Sequence, residues 1–154
     1  MKVAIGYDHA GAPLAETVRA TLVALGHEVQ DTGQSNDYPN VAFTVGAGVA
    51  RGDAERGIIL CGSGAGVAVA ACKVPGIRAA CAHDHYTAGQ CVNHDDVNVL
   101  CLGARVIGSA VATELVEAFM GASFSGEERH LRRLNKVNQI ETDGLDTHLD
   151  PAPQ

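Results

Sequence analysis

Cys61 closes an apolar run, Ile58-Ile59-Leu60, and is followed at once by Gly62-Ser63-Gly64-Ala65-Gly66-Val67. A strand that breaks into an alternating-glycine turn and a small-residue helix leaves backbone N–H groups without acceptors, which makes an anion cradle. The same positive helix end favours a thiolate over a thiol. A reactive sulfur facing an oxyanion pocket suits proton transfer next to a carbonyl. Other readings of the loop are weaker. A Walker loop would need a Gly-Lys-Ser/Thr ending, which is missing. A dinucleotide fingerprint would need GxGxxG, whereas Val67 fills the last glycine position, even though Asp84 stands about where a ribose-binding acid would. A turn needed only for close packing is the plain alternative; a monophosphate or enediolate cradle accounts for more of the run.

Four further clusters carry charge or titratable groups. Asp8-His9, followed by Gly11, stands at the end of the first apolar run, and is either a surface pair or part of a site. His94-Asp95-Asp96 precedes the fifth run, so within one chain it belongs at the edge away from Cys61 and reads as a solvated turn unless a neighbouring subunit presents it. Arg129, Arg132 and Arg133, with His130 and Lys136, form a basic face on an acidic chain. That face is either solvated and paired with Glu127 and Glu128, or a clamp in which Arg129 and Arg133, one turn apart, hold one phosphate. His83-Asp84-His85 resembles a metal cluster but has no further ligand at a suitable spacing, and capping of a helix by Asp84 is the expectation.

Alternating short apolar runs and amphipathic segments must position these groups. Strands are expected over 3–7, 27–31, 57–61, 77–82 and 97–102, and helices over about 11–25, 40–51, 64–73, 84–92, 109–120 and 126–140, with a polar loop at 31–37. The pattern predicts an α/β fold, a three-layer doubly wound sandwich around a five-stranded parallel sheet, Rossmann-like. Ligands of such folds bind past the carboxyl ends of the strands, where strand order reverses. Residues 1–140 form one domain, and 141–154 an acidic tail that looks loosely held.

The bulk composition narrows the partners. With 154 residues, a net charge of −7, three tyrosines, three phenylalanines and no tryptophan, the chain is unsuited to nucleic-acid backbones or base stacking. The N-terminus reads directly as a strand, and no apolar run approaches membrane-spanning length, so a cytosolic protein is expected. Five cysteines (Cys61, Cys72, Cys81, Cys91 and Cys101) without a CxxC pair fit free thiols in a reducing compartment.

Together these residues resemble the type B ribose-5-phosphate isomerases and their sugar-phosphate isomerase relatives. The resemblance runs from residue 1 to about 140. It is carried by Gly6-Tyr7-Asp8-His9-Ala10-Gly11, Asp37-Tyr38-Pro39 and Cys61-Gly62-Ser63-Gly64-Ala65-Gly66. Further matches are Lys73-Val74-Pro75-Gly76-Ile77-Arg78-Ala79, Asn98-Val99-Leu100-x-Leu102-Gly103-x-Arg105 and Arg129-His130-x-x-Arg133.

The family implies interconversion of an aldose phosphate and a ketose phosphate with no metal and no organic cofactor. By that resemblance Cys61 is the base that moves a proton between C1 and C2 through a cis-enediolate. In the family's other branch a carboxylate does this from the position of Val67. Ser63 would move the proton between the oxygens, and the amides of Gly62, Gly64, Ala65 and Gly66 would hold the developing charge. Asp8 and His94 would bind and open the ring, Asp95 would lie beside the sugar, and His9, Arg129 and Arg133 would receive the phosphate. Family members are dimers with His94 contributed across the interface, so a homodimer or dimer of dimers is expected here. Two positions depart from the pattern: Cys72 and Asp95 stand where the family usually has Asn. Both bear on which sugar is taken. The expected function is isomerisation of ribose 5-phosphate and ribulose 5-phosphate. Isomerisation of a tetrulose, allose or galactose-type phosphate, a non-catalytic sugar-phosphate-binding regulator, and a nucleotide-binding flavodoxin-like module are the alternatives.

Overall fold

A computed structural model describes residues 1–151, so the last three residues of the acidic tail lie outside the described residues. In chain order the elements are β1 (Lys2–Tyr7), α1 (Ala12–Ala24), β2 (Glu28–Gln34), α2 (Tyr38–Ala50), β3 (Arg56–Cys61) and α3 (Ala65–Ala71). They continue with β4 (Ala79–Cys81), α4 (His85–Asp95), β5 (Val99–Gly103), α5 (Ser109–Gly121) and α6 (Glu128–Asp143). All four strand pairings are parallel, in the order β2-β1-β3-β5-β4. From β1 the chain winds one way to β2, and from β3 the other way to β4. The switch therefore falls between β1 and β3, and the crevice opens at the ends carrying Asp8 and Cys61.

Alternation along each strand sorts the core onto two faces. Val3, Ile5, Ile58, Leu60, Leu100 and Leu102 are buried against Leu14, Val18 and Leu22 of α1, Val92 of α4, and Leu115, Val116 and Phe119 of α5. Ala4, Ile59, Cys61, Val99 and Cys101 are buried against Val41 and Val45 of α2 and Val67 and Ala71 of α3. Each large apolar side chain on these faces contributes about 1.5–3 kcal/mol through removal from water. The central strands, covered on both sides, are apolar at nearly every position, as parallel sheets require.

Several boundaries differ from the sequence expectation: β4 spans only Ala79–Cys81 where the pattern predicts 77–82, and three others differ for a local reason. β2 runs on to Gln34 through residues read as polar loop. As an edge strand it buries none of its side chains fully, so its polar composition hid it. Thr32 Oγ1 donates to Ile5 O at 3.0 Å, which keeps the extension against β1. α4 continues to Asp95 and ends at Asp96, whose φ of 51° is left-handed. α6 extends to Asp143, past the boundary set for the tail. The tail segment beyond it folds back, with Gln139 Nε2 donating to His148 O at 3.1 Å and Lys136 Nζ donating to Asp150 O. Among the described residues no helix is long and apolar enough to cross a membrane.

Candidate active site

The end of β1 turns tightly onto the end of β3. Asp8 N–H donates to Leu60 O at 3.1 Å, extending the β1–β3 pairing by one residue. The Asp8 carboxylate is buried, and its Oδ1 accepts from the amides of Ala10 and Gly11, both at 2.9 Å. A Cβ on Gly11 would come within 2.2 Å of Leu60 O, so only glycine lets the α1 start sit this close to β3. This approach seats Asp8 beside the Cys61 loop, while His9 is left exposed next to it.

The Cys61 loop is organised around the sulfur. Cys61 is buried, 5% exposed, and its Sγ accepts a hydrogen bond from Gly64 N–H at 3.0 Å. That bond requires the left-handed backbone of Gly64, at φ 81°. Ser63 is exposed, and its Oγ accepts from Ala65 N–H at 3.3 Å. The amides of Gly66 and Val67, in the first turn of α3, have no acceptor among the described residues. The loop therefore presents a thiol, a hydroxyl and free N–H groups beside a buried carboxylate. Such a set can move a proton and stabilise an oxyanion.

The end of β5 completes this edge and supplies residues that stand past strand ends in the sequence but to which no site role was assigned. Cys61 pairs in register with Gly103, Ala104 N–H donates to Cys61 O at 2.9 Å, and Arg105 N–H donates to Gly62 O at 3.0 Å. The Arg105 side chain lies across Gly62, its Cδ and Nε within 3.5 and 3.6 Å of where a Cβ would stand. It is an exposed cation over the glycine loop. The available signal was its place in Gly103-x-Arg105 at a strand's carboxyl end. His83, read as part of a weak metal cluster, instead accepts from Gly103 N–H through Nε2 at 3.0 Å. Asp84 caps α4, its carboxylate accepting from Thr87 N–H at 2.8 Å, which holds its pKa below the usual value.

The remaining expected residues lie at the other edge of the sheet. His94 is on the last turn of α4 rather than in a solvated turn. Its Nδ1 lies 2.8 Å from Gln90 Nε2, which as an amide donor places the ring proton on His94 Nε2. The ring rests on that of His130 at a centroid distance of 4.1 Å. His130 is 2% exposed and tied to Ser125 Oγ at 2.6 Å. Asp95 and Arg133 line one groove of about 570 Å³ with Cys72, Lys73, Arg78 and Glu141. Arg129 is exposed and ion-paired with Glu127 at 2.9 Å. Arg78 bonds both the backbone oxygen and the carboxylate of Asp96, at 2.7 and 2.6 Å, and so fixes the α4–β5 turn.

One chain thus brings together Asp8, His9, Cys61, Gly62, Ser63, Gly64, Ala65 and Gly66, and separately His94, Asp95, Arg129 and Arg133. The length of β5, roughly 13 Å at the usual rise, stands between the two groups.

Comparison with known proteins bears on the family and the fold. A profile described as Ribose/Galactose Isomerase fits residues 3–137. Ribose-5-phosphate isomerase B of Escherichia coli is 40% identical over 144 residues, 91% of this chain and 96% of that protein. D-erythrulose-4-phosphate isomerase 2 of Mycolicibacterium smegmatis is 39% identical, over 89% of this chain and 95% of that protein. The structure of Trypanosoma brucei type B ribose 5-phosphate isomerase superposes with a TM-score of 0.86 at 46% identity, covering 89% of this chain and 96% of that one. Fold and sequence agree, and the chain belongs to the ribose/galactose isomerase family.

Proposed function

We propose that this protein interconverts an aldose phosphate and a ketose phosphate, ribose 5-phosphate and ribulose 5-phosphate in the first instance, by proton transfer without a metal or organic cofactor. The observation that carries the reading is Cys61, seated between a buried carboxylate and a helix start and held by Gly64 N–H at 3.0 Å. The Cys61 thiolate takes the proton from C2 of the open aldose and returns it to C1. The enediolate oxygens meet the amides of Gly62 and Gly66, joined by Ala65 N–H once Ser63 Oγ turns to the sugar, while Gly64 N–H stays with Cys61 Sγ. Ser63 Oγ passes the second proton between O1 and O2. Val67, an apolar residue, can take no part in this transfer.

Ring opening needs a base and an acid on the sugar, and Asp8 and His94 fill these roles. Since His94, Asp95, Arg129 and Arg133 lie at the opposite edge, they act from a second copy of the chain, in a homodimer or dimer of dimers. The phosphate is received by His9 and Arg105 on one side and by Arg129 and Arg133 on the other. Arg129 leaves Glu127 to do so, an exchange of one exposed ion pair for a charge-assisted contact. The free cysteines and the metabolite substrate fit the cytosol.

A second reading concerns the sugar alone. Asp95 lines the groove with Arg133, and a carboxylate there accepts hydrogen bonds but cannot donate them. A shorter sugar phosphate, as in the D-erythrulose-4-phosphate isomerase relative, is the competing substrate. Ranking four- to six-carbon sugar phosphates by kcat/KM, with chelator present, tests both. Ribose 5-phosphate first supports the main reading and a tetrulose phosphate first the second. Binding without turnover across the panel would replace both with a sugar-phosphate-binding regulator.

A further inference from the structure

The Ser63–Gly64 peptide joins two thiols. Its N–H donates to Cys61 Sγ at 3.0 Å, and its carbonyl, Ser63 O, accepts from Cys81 Sγ at 3.5 Å. Cys81 reaches that carbonyl because of the sheet register. It pairs with Cys101 on β5, and Cys101 belongs to the same sheet face as Cys61. From edge strand β4 its sulfur lies against Gly64, where a Cβ would be only 2.7 Å away. The bare Cα of Gly64 and the Cys81 thiol therefore fit one another.

We infer that Cys81 is a positioning residue for Cys61, acting through the Ser63–Gly64 peptide. A donor on the carbonyl polarises the amide, which makes its N–H a stronger partner for a thiolate at the far end. The chain of bonds runs Cys81 S–H to Ser63 O, then Gly64 N–H to Cys61 Sγ. It works only while Cys81 keeps its proton. Cys81 keeps an exposed flank, and partial burial first, with the neighbouring Cys61 second, pushes its thiol up, on the side of the protonated form. His83 Nε2 lies 3.9 Å from the same sulfur, but its lone pair already accepts from Gly103 N–H at 3.0 Å. The S–H proton is left to Ser63 O.

This inference rests on Cys61 being the base, and its test can be read without turnover. Alkylation of Cys61 by iodoacetamide, located by peptide mass spectrometry at low conversion, is followed against pH. In Cys81→Val, which fills the space without a donor, the pH of half-maximal alkylation rises by about half a unit, an approximately threefold change. Cys81→Ala, which adds no bulk beneath Gly64, shifts it the same way should the valine variant fold poorly. Cys81→Ser, which restores a donor, returns the profile to wild type. The kcat profile of the isomerase shifts in parallel, with KM little changed. Superimposable alkylation profiles for Cys81→Ala and wild type overturn the inference, and so does an equal shift in Cys81→Ser. Wild-type turnover in Cys61→Ala would overturn the proposed mechanism instead, while the alkylation profiles still report whether Cys81 acts on Cys61.

Discussion

His94 and His130 stack with ring centroids 4.1 Å apart and planes tilted by 32°, and the inner ring of the pair is held by Ser125. Burial, then the neighbouring His94, then Arg129, with Arg133 also contributing, lower the pKa of His130 below 6.5, against a smaller pull from Glu127. The unfolded chain therefore binds more protons than the folded one just below that value. Stability is full above about pH 6.5 and falls as pH drops toward the folded pKa. Thermal unfolding between about pH 7.5 and about pH 5.5 should show this loss, and His130→Gln should flatten it. Equal losses in both proteins would assign the acid sensitivity to other groups.

Cys61→Ser should lower kcat by about 10²- to 10⁴-fold, the usual contribution of a positioned general base. The far-ultraviolet spectrum should be unchanged, because serine nearly matches the volume of the buried Cys61 side chain and keeps an acceptor for Gly64 N–H. A turnover close to wild type would remove the thiol from the mechanism.

Arg133→Ala should raise KM for the phosphorylated sugar more than it lowers kcat, because it removes a charge-assisted contact to a group that does not react. The two separated half-sites add a sharper test. Cys61→Ala and Arg133→Ala are co-expressed or refolded together and assayed at substrate well below the KM of Arg133→Ala, where each alone turns over little. Hybrid dimers would then hold one intact site, restoring up to about a quarter of wild-type activity. A mixture no more active than its components would place all the groups in one subunit.

Gly11→Ala should cost about 2 kcal/mol or more and most of the activity. The new methyl would meet the carbonyl of Leu60 at 2.2 Å, backbone against backbone, with no rotamer to relieve it. Urea unfolding reads the stability, and a variant as stable as wild type would show that α1 can retreat from β3.

Asp8, Cys61 and the Asp84 cap were legible because each stands at an element boundary set by a strong local pattern. Arg105, His83 and Cys81 were not assignable in the same way. Their partners lie on other elements, and only the β3–β5–β4 register brings Cys81 beneath Gly64 and His83 onto Gly103. The end of α4 was misjudged for a different reason. Helices commonly stop at a glycine in the left-handed region, and here Asp96 takes that conformation, held by Arg78. The separation of Cys61 from His94 did follow from sequence order, since a helix after β4 must return to the amino edge before β5 starts.

That separation gives the chain a property beyond its chemistry. A β-sheet cannot bend its two ends together, so a lone subunit carries a reactive sulfur with only half of the groups proposed to grasp an anionic sugar, His9 and Arg105 without Arg129 and Arg133. On the proposed two-copy site, newly made chains would be silent until they find a copy, and at high dilution the rate should decline with the square of protein concentration. In a cell making two variants of this sequence, a mixed pair would take its proton-transfer power from one gene product and its taste in sugars from the other.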